Sequence, residues 1–195
     1  MLISPLLSEL KNQIESCTIC AQHLPFGPRP IVQVHEHARI LIAGQAPGSK
    51  VHKTGIPFDD PSGVRLREWM GVDEATFYDA SRIAILPMGF CFPGTGKSGD
   101  LPPRPECAEA WRQRVLDLLP DVQLTIVLGA YARNWHIKSH HKRLSDLVAD
   151  WESFWPDVLP LPHPSPRNQR WFRNHAWFER DILPVLQNRV QELLK

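Results

Sequence analysis

Four short apolar runs stand out along the chain, each flanked by polar or turn-forming residues. Apolar and polar positions hardly alternate within these runs, which is typical of strands that are buried on both faces of a sheet. We therefore predict four β-strands, at residues 39–43, 83–86, 124–128 and 158–161.

Stretches between and after these runs have the apolar spacing of helices. Asp60 followed by Pro61 is typical of a helix start and Gly71 of a helix end, so we predict a helix between them. Further helices are predicted at residues 105–119, 144–154 and 171–194, the last with a break near Pro184.

The alternation of strands and helices predicts an α/β fold. Parallel neighbours need long crossover connections, which are right-handed and place helices on both faces of the sheet. The predicted architecture is a single domain over residues 1–195, a three-layer α/β/α sandwich around a central four-stranded, mostly parallel sheet. Ligands bind at the carboxyl ends of such strands, so function is expected in the loops that follow them.

Composition narrows the class of protein. The 195 residues are 43% apolar and carry a formal net charge of +1, which excludes a uniformly basic nucleic-acid coat, so phosphate contacts must come from local clusters. No segment is long and apolar enough to span a bilayer, and the short apolar N-terminus lacks the layout of a signal peptide. We expect a cytoplasmic monomer that does not bind membranes.

Two loops carry candidate chemistry. The first, residues 44–48 with the sequence Gly-Gln-Ala-Pro-Gly, permits a tight turn with exposed amides, and Phe58 beyond it offers a flat face for a base. The alternative is an ordinary strand-to-helix turn with Phe58 in the core. The second, residues 163–171, holds His163 between prolines and continues with hydroxyl, amide and basic groups that suit a phosphodiester backbone.

Four cysteines form two spaced pairs. Cys17 and Cys20 precede the first predicted strand, and Cys91 and Cys107 lie in the middle of the chain. Because the cytosol keeps thiols reduced, these residues are expected to be thiols or metal ligands and not disulfides.

Together, the two loops and the cysteines resemble the uracil-DNA glycosylase superfamily, and the cysteine spacing is similar to that of its iron–sulfur branch. The resemblance implies that Cys17, Cys20, Cys91 and Cys107 hold a structural 4Fe-4S cluster; a zinc ion and free buried thiols are the alternatives. It also implies that the partner is DNA with a damaged or deaminated base, which is flipped out of the helix.

The resemblance also assigns roles to individual positions. Phe58 corresponds to the aromatic residue that stacks on the flipped base, and His163 to the imidazole that contacts the uracil O2 as negative charge develops there. Gln45 lies in the motif that approaches the sugar and the attacking water. The other residues expected to contact the substrate are Gly44, Ala46, Pro47, Gly48, Ser165 and Asn168.

The sequence departs from the family pattern in two respects. Where Gln45 stands, the iron–sulfur branch usually has a carboxylate, and another branch has one where Ala46 stands. A glutamine can orient a water molecule but cannot take its proton. Pro87 occupies the position of an asparagine that reads the uracil edge in the iron–sulfur branch.

A carboxylate elsewhere is expected to replace the missing acid if its loop folds over the site. Asp59, directly after Phe58, is predicted to supply it, and the alternative is that Asp59 is solvated; Asp60 is expected to cap the following helix. Asp79 and Asp100 are further candidates, and spacing alone does not select among them.

Local basic groups are expected to contact the DNA backbone. Lys97 lies in a Gly-Lys-Ser run that resembles the end of a phosphate-binding loop, but Cys91 stands where that motif needs its first glycine. We therefore interpret this segment as a loop that touches DNA. The remaining candidates are Arg167, Arg170 and Arg173, with a positive cluster at residues 138–143 that is either a DNA contact or a solvated loop.

Three functions follow from these observations. The first is a DNA glycosylase that hydrolyses the bond to a deaminated base, uracil or a related one. The second is a nucleic-acid-binding relative that kept the pocket and lost the acid. The third is an enzyme or sensor for a free nucleobase or nucleoside.

Overall fold

The computed structural model of the protein describes residues 3–97, 99–141 and 143–195. The strands are β1 Ile40–Ala43, β2 Ile83–Ile85, β3 Thr95–Gly96, β4 Gly99–Asp100, β5 Leu124–Leu128 and β6 Val158–Leu161. The α-helices are α1 Pro5–Glu15, α2 Ser49–Thr54, α3 Pro61–Met70, α4 Glu74–Phe77, α5 Pro105–Cys107, α6 Gln113–Leu116, α7 Gly129–His136, α8 Leu144–Ala149, α9 Gln169–Asn174 and α10 Leu183–Leu193. Short 3-10 helices cover Ala21–His23, Trp151–Phe154 and Pro166–Asn168, and π-helical turns cover Ala108–Arg112 and Phe178–Ile182.

All four predicted strands are confirmed, and they form one parallel sheet in the order β2-β1-β5-β6. Ile40 pairs with Ile83 on one side and with Leu124 on the other, so β1 is a central strand. β6 lies at an edge, where the missing N–H of Pro160 is tolerated. At the opposite edge, Gln33 exchanges two main-chain hydrogen bonds with Ile85.

The three-layer prediction is also confirmed, because alternate residues of each strand face different helical layers. On one face, Ile40 and Ile42 pack in a buried cluster with α3, α10 and the π-helical turn before α10. On the other face, Leu41 packs in a separate cluster with α1 and the helical segment 105–116. The sheet is thus apolar on both faces, as its non-alternating strand sequences indicate.

The helix predictions hold in outline and differ in their ends. Asp60 caps α3 by accepting a hydrogen bond from the Gly63 N–H at 2.9 Å, and Gly71 ends it at φ 66°. The 105–119 helix contains a π-helical turn and ends at Leu116, and the 144–154 helix becomes 3-10 after Ala149. The C-terminal break lies at residues 175–177, ahead of Pro184. Pro184 lies in the first turn of α10, where the absence of its N–H is tolerated.

Several elements were not predicted from the sequence, namely α1, α2, α4, α7 and the β3–β4 hairpin. α1 begins after Ser4, whose hydroxyl accepts a hydrogen bond from the Leu7 N–H at 3.3 Å. The β3–β4 hairpin pairs Thr95 with Asp100 between the third and fourth cysteines, where a loop was expected. Within the described residues, no helix is long and apolar enough to cross a membrane.

Candidate functional site

A cavity of about 540 Å³ opens at the carboxyl end of the sheet. The loops that follow β1, β2 and β6 line it, together with the segment before α3 and the β3–β4 hairpin. This is the edge at which an open parallel sheet places its ligands. The lining includes Gln45, His163 and all seven residues predicted to bind substrate: Gly44, Ala46, Pro47, Gly48, Phe58, Ser165 and Asn168.

The first loop is fixed by hydrogen bonds to its neighbours. The carbonyls of Gly44 and Gln45 each accept a main-chain N–H from the segment after β2, from Met88 and Gly89 respectively, at 2.9 Å. The side-chain Nε2 of Gln45 donates to the Leu101 carbonyl at 3.0 Å. Gln45 therefore joins the turn after β1 to the strand end of the β3–β4 hairpin.

Phe58 has an unusual backbone conformation at the cavity wall. Its φ of 56° lies in the left-handed region, which is rare for a large side chain and costs roughly 1–3 kcal/mol. Its ring meets Phe77 edge to face at 6.2 Å, and a Cβ placed on Gly44 would lie 3.7 Å from the tip of that ring. Phe58 thus packs on the core and lines the cavity, so the two interpretations of this residue are compatible.

His163 is held in one orientation by its own loop. The Ser165 main-chain N–H donates to Nδ1 of the imidazole at 3.2 Å, and Asn168 Nδ2 donates to the His163 carbonyl at 2.8 Å. Burial lowers the pKa of His163, and the charges of Asp60 and Asp100 oppose this effect. A neutral imidazole that accepts at Nδ1 carries its proton on Nε2, so it can donate a hydrogen bond to a ligand in the cavity.

Arg65 supports the second loop, and sequence reasoning missed it. Its guanidinium donates to the carbonyls of Pro164 and Ser165 at 3.4 Å and to Gln169 Oε1 at 3.1 Å. It also lies over the Phe172 ring, 5.0 Å from the centroid. A charged residue on an amphipathic helix carries no sequence signal that distinguishes this role from ordinary exposure.

The carboxylates in the cavity differ from the sequence prediction. Asp59 is absent from the cavity lining, and its Oδ1 lies 3.3 Å from Lys50 Nζ, so its catalytic role stays a prediction. Asp60 and Asp100 line the cavity instead. Asp79 accepts hydrogen bonds from the Ser81 main chain and hydroxyl, which gives it a local structural role.

Of the predicted DNA contacts, Arg167 lies in the cavity lining and the others lie outside it. Arg170 and Arg173 are exposed on α9, which continues the His163 loop, and Lys97 is exposed at the turn of the β3–β4 hairpin. In the 138–143 cluster, Arg143 pairs with Asp146 and His141 with Asp150, each at 2.9 Å, whereas Lys142 lies outside the described residues.

The four cysteines are free thiols, and ionisation of one would disfavour ionisation of its neighbours. Burial raises the pKa of Cys91 to about 11 and that of Cys107 to about 12, and the neighbouring thiols raise both further. Each of three sulfurs accepts an N–H donor: Cys107 from the Phe90 main chain at 3.3 Å, Cys17 from Trp111 Nε1 at 3.2 Å, and Cys91 from the Arg29 main chain. Within residues 3–97, 99–141 and 143–195, no three Cys, His, Asp or Glu side chains are arranged to hold a single metal ion.

Beneath the cavity floor, Arg112 is fully buried, which the sequence did not indicate. Its guanidinium donates to the Leu86 and Pro87 carbonyls at 2.8 Å each and contacts His136 Nε2. These carbonyls end β2, and Pro87 lines the cavity. Arg112 thereby ties the π-helical turn after Cys107 to the floor of the site.

Known proteins of related sequence and fold were found. The type-4 uracil-DNA glycosylase of Thermotoga maritima is 24% identical over 166 residues, which cover 82% of each chain. Among solved structures, a candidate uracil DNA glycosylase from Methanosarcina acetivorans superposes with a TM-score of 0.49 at 16% identity, over 83% of this chain and 97% of that one. Pedobacter heparinus SMUG2 superposes with a TM-score of 0.45 at 15% identity, over 94% and 97% of the two chains.

A sequence profile of the whole family gives the assignment. The profile of the Uracil DNA glycosylase superfamily matches residues 31–187, a stretch that contains both cavity loops, all four strands of the main sheet and the helices between them. The chain therefore belongs to the uracil-DNA glycosylase superfamily.

Proposed function

We propose that the protein hydrolyses the N-glycosidic bond of a flipped, deaminated base in DNA, uracil or a close relative. One observation carries the proposal: His163, with its proton on Nε2, lines the same cavity as the Phe58 ring and the Gly44–Gly48 turn. An aromatic face can stack on a base, while an N–H donor stabilises the charge that a leaving base acquires.

The chain's own groups divide the task. Phe58 would stack on the extruded base, and His163 would donate to its carbonyl oxygen as the bond to the sugar breaks. A neutral imidazole can fill this role because Nδ1 accepts the Ser165 N–H and its single proton is on Nε2. Ser165, Asn168 and the 44–48 turn would border the base and sugar, as the cavity lining supports.

Exposed arginines are proposed to bind the DNA backbone. Arg167 borders the cavity, and Arg170 and Arg173 extend from it along α9, with Lys97 at the hairpin turn as a further contact. Phosphate contacts of this kind position DNA without reading its sequence. We propose that the protein acts on DNA in the cytoplasm as a monomer.

We also propose that Cys17, Cys20, Cys91 and Cys107 hold a 4Fe-4S cluster. Two observations support this proposal: neighbouring cysteines raise the pKa of Cys91 and Cys107, and N–H donors to the sulfurs of Cys17 and Cys107 would stabilise negative charge there. Four thiolates are a usual ligand set for such a cluster, and Cys17, Cys20, Cys91 and Cys107 would provide it. When bound, the cluster would join the N-terminal segment to the helix after the hairpin and supply no step of the hydrolysis.

The test is cleavage of synthetic DNA. Purified protein is incubated with single- and double-stranded oligonucleotides that contain uracil, hypoxanthine or xanthine, and abasic sites are revealed by alkali. We expect strand breaks at one or more of these bases with the wild type and much slower cleavage with His163→Ala. Cleavage of none of the three bases would contradict the proposal.

A second function is favoured by one observation, the replacement of the usual acid by Gln45, whose amide is committed to the Leu101 carbonyl. In this alternative the protein binds damaged DNA without cutting it. Gel-shift assays on the same oligonucleotides distinguish the two, since a binder retains uracil-containing DNA and leaves it intact.

A further inference from the structure

We propose that Asp100, carried by the β3–β4 hairpin, is the catalytic carboxylate that activates the attacking water in this protein. The inference rests on the proposed glycosylase function and assigns to it the acid that the 44–48 loop lacks. The acid would reach the site from a hairpin between Cys91 and Cys107 instead of from the turn after β1.

Asp100 lies against the first loop, although Asp100 and Gly48 are 52 positions apart in the chain. Its Oδ2 is 3.3 Å from the point that a Cβ on Gly48 would occupy, so the carboxylate lies directly against the backbone of the first loop. Asp100 lines the cavity with Gln45 and His163, and its charge acts on the imidazole. The carboxylate is therefore at the wall where the sugar and the attacking water would meet the Gly-Gln-Ala-Pro-Gly turn.

Several contacts hold the hairpin in this position. Asp100 pairs with Thr95 across the hairpin, and the Leu101 N–H donates to the Gly94 carbonyl at 2.8 Å. Gln45 Nε2 donates to the carbonyl of Leu101, the residue directly after Asp100. Gln45, at the position of the family's usual acid, thus anchors the segment that would carry the replacement.

Arg167 contacts the other side of the hairpin. A Cβ on Gly99 would lie 2.6 Å from the Arg167 guanidinium. The guanidinium therefore packs directly against the backbone of Gly99, the residue before Asp100. The second cavity loop and the hairpin therefore meet at this glycine. The contact places a positive group beside the proposed acid, where a DNA phosphate would also be attracted.

The neighbouring carboxylates are less suited to the role. Asp60 lines the cavity, but its Oδ1 accepts the Gly63 N–H at 2.9 Å to begin α3. Asp59 points to Lys50 at 3.3 Å and is outside the cavity lining. The Asp100 carboxylate accepts a hydrogen bond from the Thr95 hydroxyl at 3.4 Å and caps no helix, so it can accept a proton without breaking a helix cap.

The step balances with groups that the protein and water supply. The water oxygen forms a bond to C1′ of the sugar while the bond from C1′ to the base nitrogen breaks, and its electron pair remains on the base. A water proton passes to the Asp100 carboxylate, and the His163 Nε2–H stabilises the charged base. Proton transfer to the base from solvent then gives the free base and an abasic sugar.

The experiment compares Asp100→Asn with the wild type in single-turnover cleavage of a uracil-containing oligonucleotide. We expect the rate to fall by roughly 100-fold or more, as for loss of a general base. The melting temperature and the affinity for the oligonucleotide should stay at wild-type values, because Asp100 is exposed and not part of a core. The matched control is Asp121→Asn, an exposed carboxylate paired with His37 at 2.9 Å before β5, and it should cleave at the wild-type rate.

The outcomes separate this inference from the proposed function. If the wild type cleaves DNA and Asp100→Asn retains the rate within threefold of it, the assignment of Asp100 is overturned while the glycosylase function stands. A larger loss with Asp59→Asn or Asp60→Asn than with Asp100→Asn would also overturn it. If the wild type cleaves none of the bases, the proposed function fails first. Should Asp100→Asn melt early, Asp100→Ser provides a second test of the same charge.

Discussion

The main-chain N–H of Ser165 lies 3.2 Å from Nδ1 of His163, and this hydrogen bond sets which ring nitrogen carries the proton. The bond joins residues two positions apart, so the tautomer is fixed within the Pro-rich loop itself. Because the prolines restrict that loop, the imidazole is oriented before a substrate arrives.

Ser165→Pro should weaken catalysis through this bond. The backbone φ of Ser165 is −58°, which a proline can adopt, and the substitution removes the N–H that donates to His163. Loss of one such hydrogen bond corresponds to at most about a tenfold fall in cleavage rate. Ser165→Ala, which keeps the N–H and removes the hydroxyl, should lose less. Equal losses in the two variants would show that the N–H has no part in orienting the ring.

The His163 imidazole should titrate below its ordinary pKa of 6.5, because burial disfavours the charged ring. Below pH 6.5 the unfolded chain therefore binds a proton at His163 more readily than the folded protein does. As a result, the His163 contribution to the free energy of unfolding is lost as the pH falls below 6.5. The ring resonances of His163 in NMR spectra report the midpoint directly, with the His163→Gln spectrum as the assignment control. A midpoint above 6.5 would contradict the burial argument.

Gly63→Ala should disrupt the turn that presents Phe58. A Cβ at this position would lie 1.8 Å from the Phe58 carbonyl oxygen, so either α3 or the strained turn must move. We expect a loss of several kcal/mol in the free energy of unfolding, roughly the cost of a severe overpacking. Val64→Ala, at the next position and with an exposed side chain, is the control and should change stability little. Urea unfolding followed by fluorescence measures both.

His136 should make stability depend on acidity. Burial and the neighbouring Arg112 charge lower its pKa to about 3, whereas the unfolded chain takes up the proton near 6.5. The free energy of unfolding should therefore fall as the pH drops from 6.5 towards 3, by at most about 1.4 kcal/mol per pH unit from this group.

The matched variant for this effect is His136→Gln. Glutamine keeps an acceptor for Arg112 and cannot gain a proton in this range. Urea unfolding of both proteins across the acid range should show a shallower pH dependence for the variant. Parallel curves would mean that the His136 pKa is not lowered in the folded protein.

Cys91→Ala should remove the proposed cluster. We expect wild-type protein prepared without oxygen to be brown and to contain iron, and the variant to be colourless and to unfold more readily. The cluster binds thiolates, so Cys91 and Cys107, whose pKa values are raised, must lose their protons before they can bind it. Loading of iron and sulfide into the metal-free protein should therefore be more complete at higher pH. Iron analysis and visible absorbance provide the measurement. Iron-free wild type from such a preparation would count against the cluster.

Much of the fold was predictable because its signals are local. A run such as Leu124–Leu128 is apolar over its whole length, which only a strand covered on both faces can satisfy in water. Asp60 and Gly71 mark the ends of α3 through contacts with their immediate neighbours. The C-terminal break was misplaced because Pro184 can end a helix or occupy its first turn, and the residue alone does not distinguish these positions.

The sequence alone determined the strands of the sheet, the loops that follow them and the residues that those loops contribute to the cavity. Only the tertiary structure decided which carboxylates line that cavity and that Arg112 is buried beneath it. Each of these depends on distances between segments that are tens of residues apart, such as Gly48 and Asp100. Local patterns specify the conformation of a segment, but packing of the whole core specifies which segments meet.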